Sequence, residues 1–305
     1  MKVILNQPYS FCQYGKRDNQ EDCRFPDTDV PTGNAPFFLV CDGVGGSEKG
    51  EVASHTVCEA FGQALANTDW SQDFTNEDFL TALDYAYKSL ANVADSSNSG
   101  MATTLTFAAF HGGGCTVAHI GDSRIYHIRP DEGVLYRSED HSLVNAMVHS
   151  GNLTPEEAVN HPDSNIITRY VSVVRRGQER SRATIMRLTD LLPGDYVFLC
   201  SDGVLHNVDD DRLTEILSSC VPDINKIREI ASLSADSVDN NTAYLIPVKD
   251  VQKEGDDNDD AQEPSQPESS DTQPLRNRQE QARDMLSENN ESISDKIGKF
   301  FKKIF

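Results

Sequence analysis

The sequence predicts a protein that mixes β-strands and α-helices, and three observations support this prediction. Short apolar runs end abruptly in polar residues, as strands buried on both faces do, at residues 37–41 and 196–200. Other stretches repeat apolar residues at helical spacing, at residues 52–65 and 79–94. The chain has 305 residues, 37% of them hydrophobic, which is enough for one large domain or two ordinary ones.

The remaining elements follow from the same two periodicities. In chain order they are strands at 2–5 and 9–12, strands within 103–129 around a turn at 111–114, and helices within 146–158, 209–220 and 224–235. Thr154 and Pro155, followed by two glutamates, are typical of a helix start. A polar stretch at residues 17–22 is typical of a loop.

Aspartates recur at the ends of the predicted strands. They are Asp42, Asp122, Asp202 and Asp239. One Asp-Gly pair after an apolar run indicates only a turn, but this phrase occurs at both Asp42 and Asp202. Because buried strands pack side by side, we expect these ends to meet. Clustered carboxylates raise one another's pKa unless cations neutralise them, and oxygen ligands suit Mg²⁺ or Mn²⁺. The pattern predicts a metal site.

The composition limits which partners the protein is expected to bind and which cellular compartment it is expected to occupy. A net charge of −22 argues against nucleic acid as the main partner. The seven cysteines are odd in number and form no C-x-x-C pair, which favours reduced thiols in a cytoplasmic protein. The start of the chain lacks the apolar region of a signal peptide, and no 18-residue apolar run occurs.

The composition changes sharply after residue 249. Residues 250–291 are rich in acidic and polar residues, which predicts a disordered linker. Residues 292–305 place Ile and Phe on one helical face and lysines on much of the rest, which predicts a basic amphipathic helix. Such a helix suits an anionic membrane surface, a groove on a partner protein or the chain's own domain. Peripheral attachment to the inner membrane is therefore an alternative to a purely cytoplasmic location.

A set of ordered motifs carries a resemblance to a known family. The motifs are Arg17 with Glu21-Asp22, 42–46 (DGVGG), 50–54 (GEVAS), 101–104 (MATT), 121–124 (GDSR), 140–142 (DHS), 167–169 (ITR), 201–203 (SDG) and 239–242 (DNNT). In this set the chain resembles the protein phosphatase 2C family, the metal-dependent serine/threonine phosphatases, in its bacterial form. The resemblance covers residues 1 to about 248, so we expect a catalytic domain at 1–249.

The resemblance implies a fold and a metal centre. The fold is an α+β protein, an antiparallel β-sandwich flanked by helices on both faces (α-β-β-α). The implied cofactors are two Mn²⁺ or Mg²⁺ ions, with a third, weaker ion at Asp122. The implied metal residues are Glu21, Asp22, Asp42, Gly43, Asp122, Asp202 and Asp239.

The same resemblance implies roles in catalysis. Asp42 bridges the two ions, Gly43 offers its carbonyl to one of them, and Asp202 and Asp239 complete the other. Arg17 binds the substrate phosphate and, with Asp42 and Asp202, makes up the expected catalytic set; the alternative for Arg17 is a solvated turn. Two cations would activate a water molecule for in-line attack on phosphorus.

The expected function is hydrolysis of phosphoserine and phosphothreonine in proteins, opposing a bacterial serine/threonine kinase, by a monomer. A scaffold that kept the fold but lost catalysis is the alternative, and the retained carboxylates disfavour it. The family often has His or Met where Val44 stands here. The proton donor to the leaving group therefore stays open between metal-bound water and His141, and a structural role for His141 is the third possibility.

Overall fold

The structure, a computed structural model, describes residues 1–33, 35–44, 49–95, 100–158, 161–174 and 177–252. Within these ranges the chain forms 13 β-strands and seven α-helices. The strands are β1 (Lys2–Leu5), β2 (Tyr9–Gln13), β3 (Asp22–Phe25), β4 (Phe37–Asp42), β5 (Ala102–Thr103), β6 (Leu105–His111), β7 (Gly114–Ile120), β8 (Arg124–Arg129), β9 (Gly133–Arg137), β10 (Val171–Ser172), β11 (Thr184–Leu188), β12 (Tyr196–Cys200) and β13 (Asn241–Gln252). The helices are α1 (Gly50–Ala64), α2 (Asn76–Val93), α3 (Leu143–His149), α4 (Pro155–Ala158), α5 (Asp202–Leu205), α6 (Asp210–Ser218) and α7 (Asp223–Ser234).

Most strands belong to two antiparallel sheets. The first has the order β1–β13–β12–β8–β9, and the long strand β13 also pairs with β2 along its first half. The second has the order β11–β7–β6–β4–β3. The predicted apolar runs form β4 and β12, which lie inside the sheets with a partner strand on each side. Burial on both faces explains why these runs are continuously apolar.

The two sheets pack face to face around a shared core. Phe38 and Val40 of β4 meet Val197 and Leu199 of β12 in one apolar cluster, together with Tyr244 of β13. The rings of Phe38 and Tyr244 lie edge to face with centroids 5.2 Å apart. Side chains alternate along a strand, so every second residue enters this core and the others reach the outer faces.

Helices cover both outer faces. Phe61 of α1 and Phe79 of α2 pack on Phe107 of the second sheet, with ring centroids 5.8 and 5.2 Å away. Leu213 of α6 belongs to the cluster that covers Phe198 on the outer face of the first sheet. The result is a four-layer α-β-β-α sandwich, which confirms the expected fold class.

Short polar side chains cap the first turns of two of the predicted helices, α2 and α6. The Thr75 hydroxyl accepts a hydrogen bond from the Asp78 amide (3.3 Å) while the Asp78 carboxylate accepts one from the Thr75 amide (2.7 Å). The Asp209 carboxylate accepts a bond from the Arg212 amide in the same way (2.8 Å). These contacts satisfy backbone donors that have no partner inside the helix. The helices expected near residues 52–65, 79–94, 209–220 and 224–235 are confirmed.

The segment between the two halves of the sandwich departs from the sequence prediction. The helical stretch expected within 146–158 is divided into α3 and α4, because a turn with Gly151 at φ +74° separates them. Strands β3, β9, β10 and β11 and the short helix α5 were not predicted. Strand β11 is a mostly exposed edge strand, so it lacks the apolar run that marks an interior strand.

The described chain ends in β13, whose last residue, Gln252, pairs with Lys2 of β1. The predicted linker, apart from residues 250–252, and the predicted basic helix at 292–305 lie outside the described residues. Among the helices that the structure does describe, none is long and apolar enough to cross a membrane.

Candidate metal centre

The site begins where β3 and β4 lie side by side. Asp22 opens β3 and Asp42 closes β4, and the antiparallel register places these two residues directly opposite each other. The Thr104 hydroxyl accepts a hydrogen bond from the Asp42 amide at 3.0 Å, and the Thr104 amide donates to the Asp42 carbonyl at 2.8 Å. The end of β4 is therefore held firmly, and its carboxylate faces that of the neighbouring strand.

The first sheet brings its own acidic residues to the same place. Asp202 follows β12 and opens α5, and Asp239 lies just before β13, the partner of β12. Between the two sheets, the Ser201 hydroxyl donates to one carboxylate oxygen of Asp22 at 2.8 Å. The same hydroxyl accepts from the Thr242 amide at 2.9 Å. Ser201 thus connects the two sheets at the site.

Asp122 reaches the cluster from the turn between β7 and β8. Gly121, at φ +109°, makes this turn, and a Cβ there would lie 2.7 Å from the Thr104 side chain. Only glycine adopts this conformation at low cost while leaving room for the neighbouring strand. The Ser123 and Thr104 hydroxyls, 2.7 Å apart, hold the turn against β6.

These residues line a cavity of about 500 Å³ at one end of the sandwich. Its lining residues are Arg17, Glu21, Asp42, Gly43, Val44, Thr104, Asp122, Asn165, Ile167, Asp202, His206, Val238 and Asp239. Six of the seven predicted metal residues are in this lining, and the seventh, Asp22, is buried directly behind it at 1% exposure. The expected meeting of strand ends is observed.

The carboxylates of the site resist ionisation. Loss of hydration, and then the charges of Asp202 and Asp239, raise the pKa of Asp22 to about 7, although the Ser201 hydroxyl donates to one of its oxygens. Loss of hydration and the neighbouring charge of Asp202 raise the pKa of Asp122 to about 7 as well.

The other acids of the cavity shift in the same direction. The pKa of Asp42 is raised well above its ordinary value by loss of hydration and by Asp22 and Asp202. Loss of hydration also raises the pKa of Asp202 and of Glu21, although Arg17 partly offsets the effect at Glu21. A cluster of carboxylates that cannot all ionise together is suited to bind positive charge.

The donor atoms fit a hard divalent cation. One carboxylate oxygen of Asp22 and one of Asp202 are buried without a hydrogen-bond partner, an arrangement that is costly unless a ligand satisfies them. Within the described ranges, no three His, Cys, Asp or Glu side chains are arranged to enclose a single ion by themselves. Mg²⁺ characteristically takes one or two carboxylates and keeps several waters, so it needs no complete cage of side chains.

Two glycines let backbone segments approach each other at the cavity. A Cβ on Gly43 would lie 2.5 Å from the Gly50 carbonyl carbon, and one on Gly203 would lie 1.9 Å from the Asn240 carbonyl oxygen. Neither position accommodates a side chain without backbone movement. These glycines therefore set the spacing of the loops that carry Asp42, Asp202 and their neighbours.

Arg17 lies at the rim of the cavity. Its side chain is 45% exposed and forms an ion pair with Asp239 at 2.7 Å, while its Nε donates to the Val238 carbonyl at 3.3 Å. The polar loop at 17–22 is thus not merely a solvated turn, because it is attached to the residues that precede β13. Arg17 and Asp239 therefore lie together in the lining of the cavity.

Asn240 fixes this loop, and the sequence reasoning gave it no role beyond its motif. Its side-chain amide donates to the carbonyls of Tyr14 and Asn19 at 3.0 and 2.9 Å, and its oxygen accepts from the Glu21 amide at 2.8 Å. Asn240 is 3% exposed. A single side chain therefore positions Glu21 and the loop that carries Arg17.

His141 lies outside the cavity that holds the carboxylates. Its Nδ1 accepts from the Gly121 amide at 3.1 Å, its Nε2 contacts the Thr184 hydroxyl at 2.9 Å, and its ring stacks on His119 with centroids 4.4 Å apart. Loss of hydration, together with the charges of His119 and Arg169, lowers the pKa of His141 to about 3. These contacts give His141 a structural role in holding the turn before Asp122.

The fold and the site together define a sandwich protein with a carboxylate-lined cavity at one end, to which both sheets contribute. A sequence profile described as protein phosphatase 2C matches residues 17–233. Protein phosphatase PhpP of Streptococcus pneumoniae serotype 2 (strain D39 / NCTC 7466) is 31% identical over 243 residues, which are 78% of this chain and 96% of that protein.

Solved structures agree with the sequence comparison. The serine/threonine phosphatase Stp1 from Staphylococcus aureus matches with a TM-score of 0.68 and 27% identity, over 82% of this chain and 98% of that chain. The catalytic domain of the serine/threonine protein phosphatase PstP, in complex with two manganese ions, matches with a TM-score of 0.65 and 25% identity, over 82% of this chain and 100% of that chain.

The chain therefore belongs to the protein phosphatase 2C family, a family of serine/threonine protein phosphatases. The family and the enzyme class that the ordered motifs predicted are confirmed. The profile covers the polar loop, both Asp-Gly phrases and the turn at Asp122, and it ends before Asp239. The roles of the individual site residues remain predictions.

Proposed function

We propose that this protein hydrolyses phosphoserine and phosphothreonine in other proteins, using Mn²⁺ or Mg²⁺ bound at the carboxylate cluster. One observation carries the proposal: acids from both sheets meet at one cavity, where loss of hydration and the charges of neighbouring acids raise the pKa values of Asp22, Asp42 and Asp122. A scaffold protein that had lost catalysis would be expected to lose these carboxylates first, because burying unpaired carboxylates lowers the stability of the fold.

The proposed ligands divide between the two sheets. Asp42 is shared between two ions, the Gly43 carbonyl joins one of them, and Asp202 and Asp239 hold the other. Glu21 and Asp22 bind through water or directly, and Asp122 holds a third, weaker ion. When bound, a pair of such ions lowers the pKa of a water molecule and stabilises charge on the attacking and departing oxygens.

Arg17 is proposed to bind the substrate phosphate. Its guanidinium matches the spacing of phosphate oxygens, and its exposed position at the rim allows the contact. In the structure it is paired with Asp239. If Asp239 binds a cation, its charge is balanced by that cation, which frees Arg17 to turn toward the phosphate.

The global charge of −22 does not conflict with a phosphorylated substrate. Bound cations are the largest local charges in such a site and reverse its sign, whatever the net charge of the chain. The wall of the cavity also offers Asn165, a neutral side chain that can hydrogen-bond to substrate. Substrate phosphate therefore meets positive charge at the site itself.

The experiment that tests the proposal is hydrolysis of a phosphothreonine peptide with added Mn²⁺, with added Mg²⁺ and with a chelator. We expect turnover with either metal and none with the chelator. Turnover that is unchanged by the chelator would contradict the metal-dependent mechanism. A phosphotyrosine peptide of the same sequence is the matched substrate, and preference for it would contradict the assigned specificity.

The physiological substrates are proposed to be the products of a cognate bacterial serine/threonine kinase. Support comes from the family alone, since its members include serine/threonine phosphatases from several bacteria. Deleting the phosphatase gene should increase phosphothreonine on a limited set of proteins, and deleting the kinase gene as well should remove it. An unchanged phosphoproteome after the first deletion would contradict this part of the proposal.

The expected domain boundary at 249 moves to Gln252, because β13 continues to that residue. The proposed arrangement is therefore a catalytic domain at 1–252, a linker at 253–291 and a localisation segment at 292–305. The support is the change in composition after residue 249 and the four lysines among the last ten residues. Deleting 292–305 should leave peptide hydrolysis intact and abolish co-sedimentation with anionic vesicles. Loss of turnover would assign the segment to the catalytic domain, and a full-length protein that never sediments would leave a groove on a partner protein as its target.

A further inference from the structure

A histidine absent from every predicted role lies in the wall of the metal cavity. His206 directly follows the short helix α5, four residues after Asp202. Its side chain is exposed and forms part of the cavity lining. Hydrolysis of a serine or threonine phosphate releases an alkoxide unless the departing oxygen receives a proton. The proposed cation ligands cannot supply it, because a carboxylate that binds a cation has already lost its proton.

The position of His206 suits the departing side of the substrate. A second cavity of about 730 Å³ adjoins the first, and Asp122, Asn165, Asp202 and His206 line both. Ser142, Val144 and Pro155 are among the other residues that line the second cavity, which offers a mixed surface for a polypeptide. A phosphoryl group among the carboxylates and a peptide in the second cavity would place the bond to be broken at this junction.

Among the four residues shared by the two cavities, His206 has the one side chain suited to donate a proton. Asp122 and Asp202 belong to the proposed ion sites, and Asn165 carries no acidic proton. His141, the earlier alternative, lines neither cavity.

A serine hydroxyl orients the imidazole in the required way. His206 Nδ1 lies 3.2 Å from the Ser237 hydroxyl, and Ser237 is 1% exposed. That hydroxyl also accepts from the Asp239 amide at 3.3 Å. Because a hydroxyl can both donate and accept, it can hold Nδ1 whether or not that nitrogen carries a proton, and Nε2 remains for the substrate.

We propose that His206 is a catalytic residue whose Nε2 protonates the departing serine or threonine oxygen; this inference rests on the phosphatase function proposed above. As water attacks phosphorus, the P–O bond to the side chain breaks and its electron pair goes to the departing oxygen. The imidazolium gives its Nε2 proton to that oxygen, so an alcohol and a neutral imidazole result. The proton released by the attacking water regenerates the imidazolium through solvent, and inorganic phosphate completes the balance.

The test compares two substrates in two variants, each loaded with Mn²⁺. His206→Asn keeps an acceptor beside Ser237, and His206→Gln keeps a donor near the position of Nε2, but neither side chain can transfer a proton. We expect kcat on a phosphothreonine peptide to fall roughly 100-fold or more in both variants. On p-nitrophenyl phosphate, whose nitrophenolate leaves without a proton, we expect a change of less than about threefold, because no general acid is needed.

The controls separate this role from others. His55→Gln changes an exposed histidine of α1 that lines neither cavity, and it should leave both rates unchanged. Calorimetric titration should show equal Mn²⁺ affinity in wild type and His206→Asn. Equal losses on both substrates, full peptide turnover by His206→Gln, or lost Mn²⁺ affinity would each overturn the assignment. A wild-type protein inactive on both substrates would instead overturn the phosphatase proposal, and this inference with it.

Discussion

An aspartate lies at each end of strand β12, and the pKa values of these two aspartates are shifted in opposite directions. Asp195 precedes the strand and is 1% exposed, yet hydrogen bonds from Arg129 and His127 outweigh its loss of hydration and hold its pKa below the usual range. Asp202 follows the strand, and there loss of hydration and the charge of Asp239 raise the pKa. The same residue type at the same strand is thus stabilised as an anion at one end only.

The neighbouring strand β8 explains the difference, because it has an arginine near each end. Arg129 donates to Asp195 through Nε at 2.8 Å and through Nη2 at 3.0 Å. Arg124, near the other end, gives both of its equivalent contacts, each 2.7 Å long, to Asp140. Asp202 is therefore left without a positive side chain from the adjacent strand.

This contrast shows what distinguishes a structural carboxylate from one reserved for a ligand. A buried acid that serves the fold is satisfied within the fold, and Asp195 receives four hydrogen bonds from Arg129, His127 and the Leu192 amide. A buried acid that serves function is left unsatisfied, at a cost in stability that binding of a cation offsets. The four predictions below test this contrast.

The largest expected effect is on stability, in a matched pair of variants at the two ends of β12. Asp195→Asn leaves Arg129 without its buried anion, and we expect the free energy of unfolding to fall by about 3–5 kcal/mol. Asp202→Asn removes a repulsive charge, and we expect the metal-free protein to gain roughly 0.5–2 kcal/mol. Urea denaturation with a chelator present measures both. Equal destabilisation by the two substitutions would contradict the distinction.

The second effect is on catalysis at the proposed metal site. Asp42→Asn removes a carboxylate shared by two ions, and we expect kcat to fall by more than about 100-fold, since changes to residues that only support a metal ligand already cost 10–100-fold. Peptide hydrolysis with saturating Mn²⁺ is the measurement, and circular dichroism checks the fold. Asp73→Asn, at an exposed aspartate paired with Arg187, is the control and should retain full turnover. Full turnover by Asp42→Asn without metal would contradict the mechanism.

The third effect concerns Arg17. Arg17→Ala removes a charged contact to phosphate worth roughly 1.5–3 kcal/mol, so the KM for a phosphopeptide should rise by about 10- to 100-fold. Mn²⁺ affinity should change much less. Arg187→Ala is a suitable control, because Arg187 is also exposed and also forms a 2.7 Å ion pair with an aspartate. Unchanged KM and kcat in Arg17→Ala would contradict a phosphate-binding role for Arg17.

The smallest effect is the pH dependence of stability in chelator. The lowered pKa of Asp195 gives stability above about pH 4 that is lost as pH falls through the folded-state pKa. The pKa values of Asp22 and Asp122, raised from 3.8 to about 7, give stability at low pH that is lost as pH rises through about 7. The metal-free protein should therefore melt highest at mildly acidic pH.

A series of melting curves between pH 4 and pH 9 checks this prediction. A change of 1 kcal/mol corresponds to a melting-temperature shift of about 2–4 °C in a domain of this size. Mn²⁺ should abolish the decline on the alkaline side, because bound cations favour the ionised carboxylates. Asp122→Asn should reduce that decline, since an amide does not titrate. A melting temperature that rises steadily through pH 7 in chelator would contradict the raised pKa values.

Much of the fold was readable from local patterns. The interior strands β4 and β12 are continuous apolar runs, and α1, α2, α6 and α7 keep helical spacing, so burial imposes a signal on each. Strand β11 and the division between α3 and α4 were missed for the converse reason. They lie at an edge or on the surface, where burial imposes little pattern on the sequence.

The site was readable in part. Four of its acids, Asp42, Asp122, Asp202 and Asp239, were found because each borders a predicted strand. Glu21 and Asp22 were found only through the family motifs, and neither kind of pattern gave a role to Asn240 or His206. Asn240 acts through carbonyls of a loop more than 200 positions away in the chain. His206 belongs to the site because α5 and the residues before β13 come together around Ser237. Contacts between residues so distant in the chain leave no local periodicity to detect.

The sequence by itself determined which strands are buried, which acids end them and which family the chain resembles, because these depend on local composition and ordered motifs. It could not determine which buried acids are paired with a positively charged side chain. Asp195 and Asp202 flank the same strand, and both look like strand-end carboxylates. Only the register of β8 on β12 places Arg129 against Asp195. Arg124 forms its ion pair with Asp140 and not with Asp202. The pKa of each carboxylate depends on these distant partners, and only the tertiary structure brings the partners together.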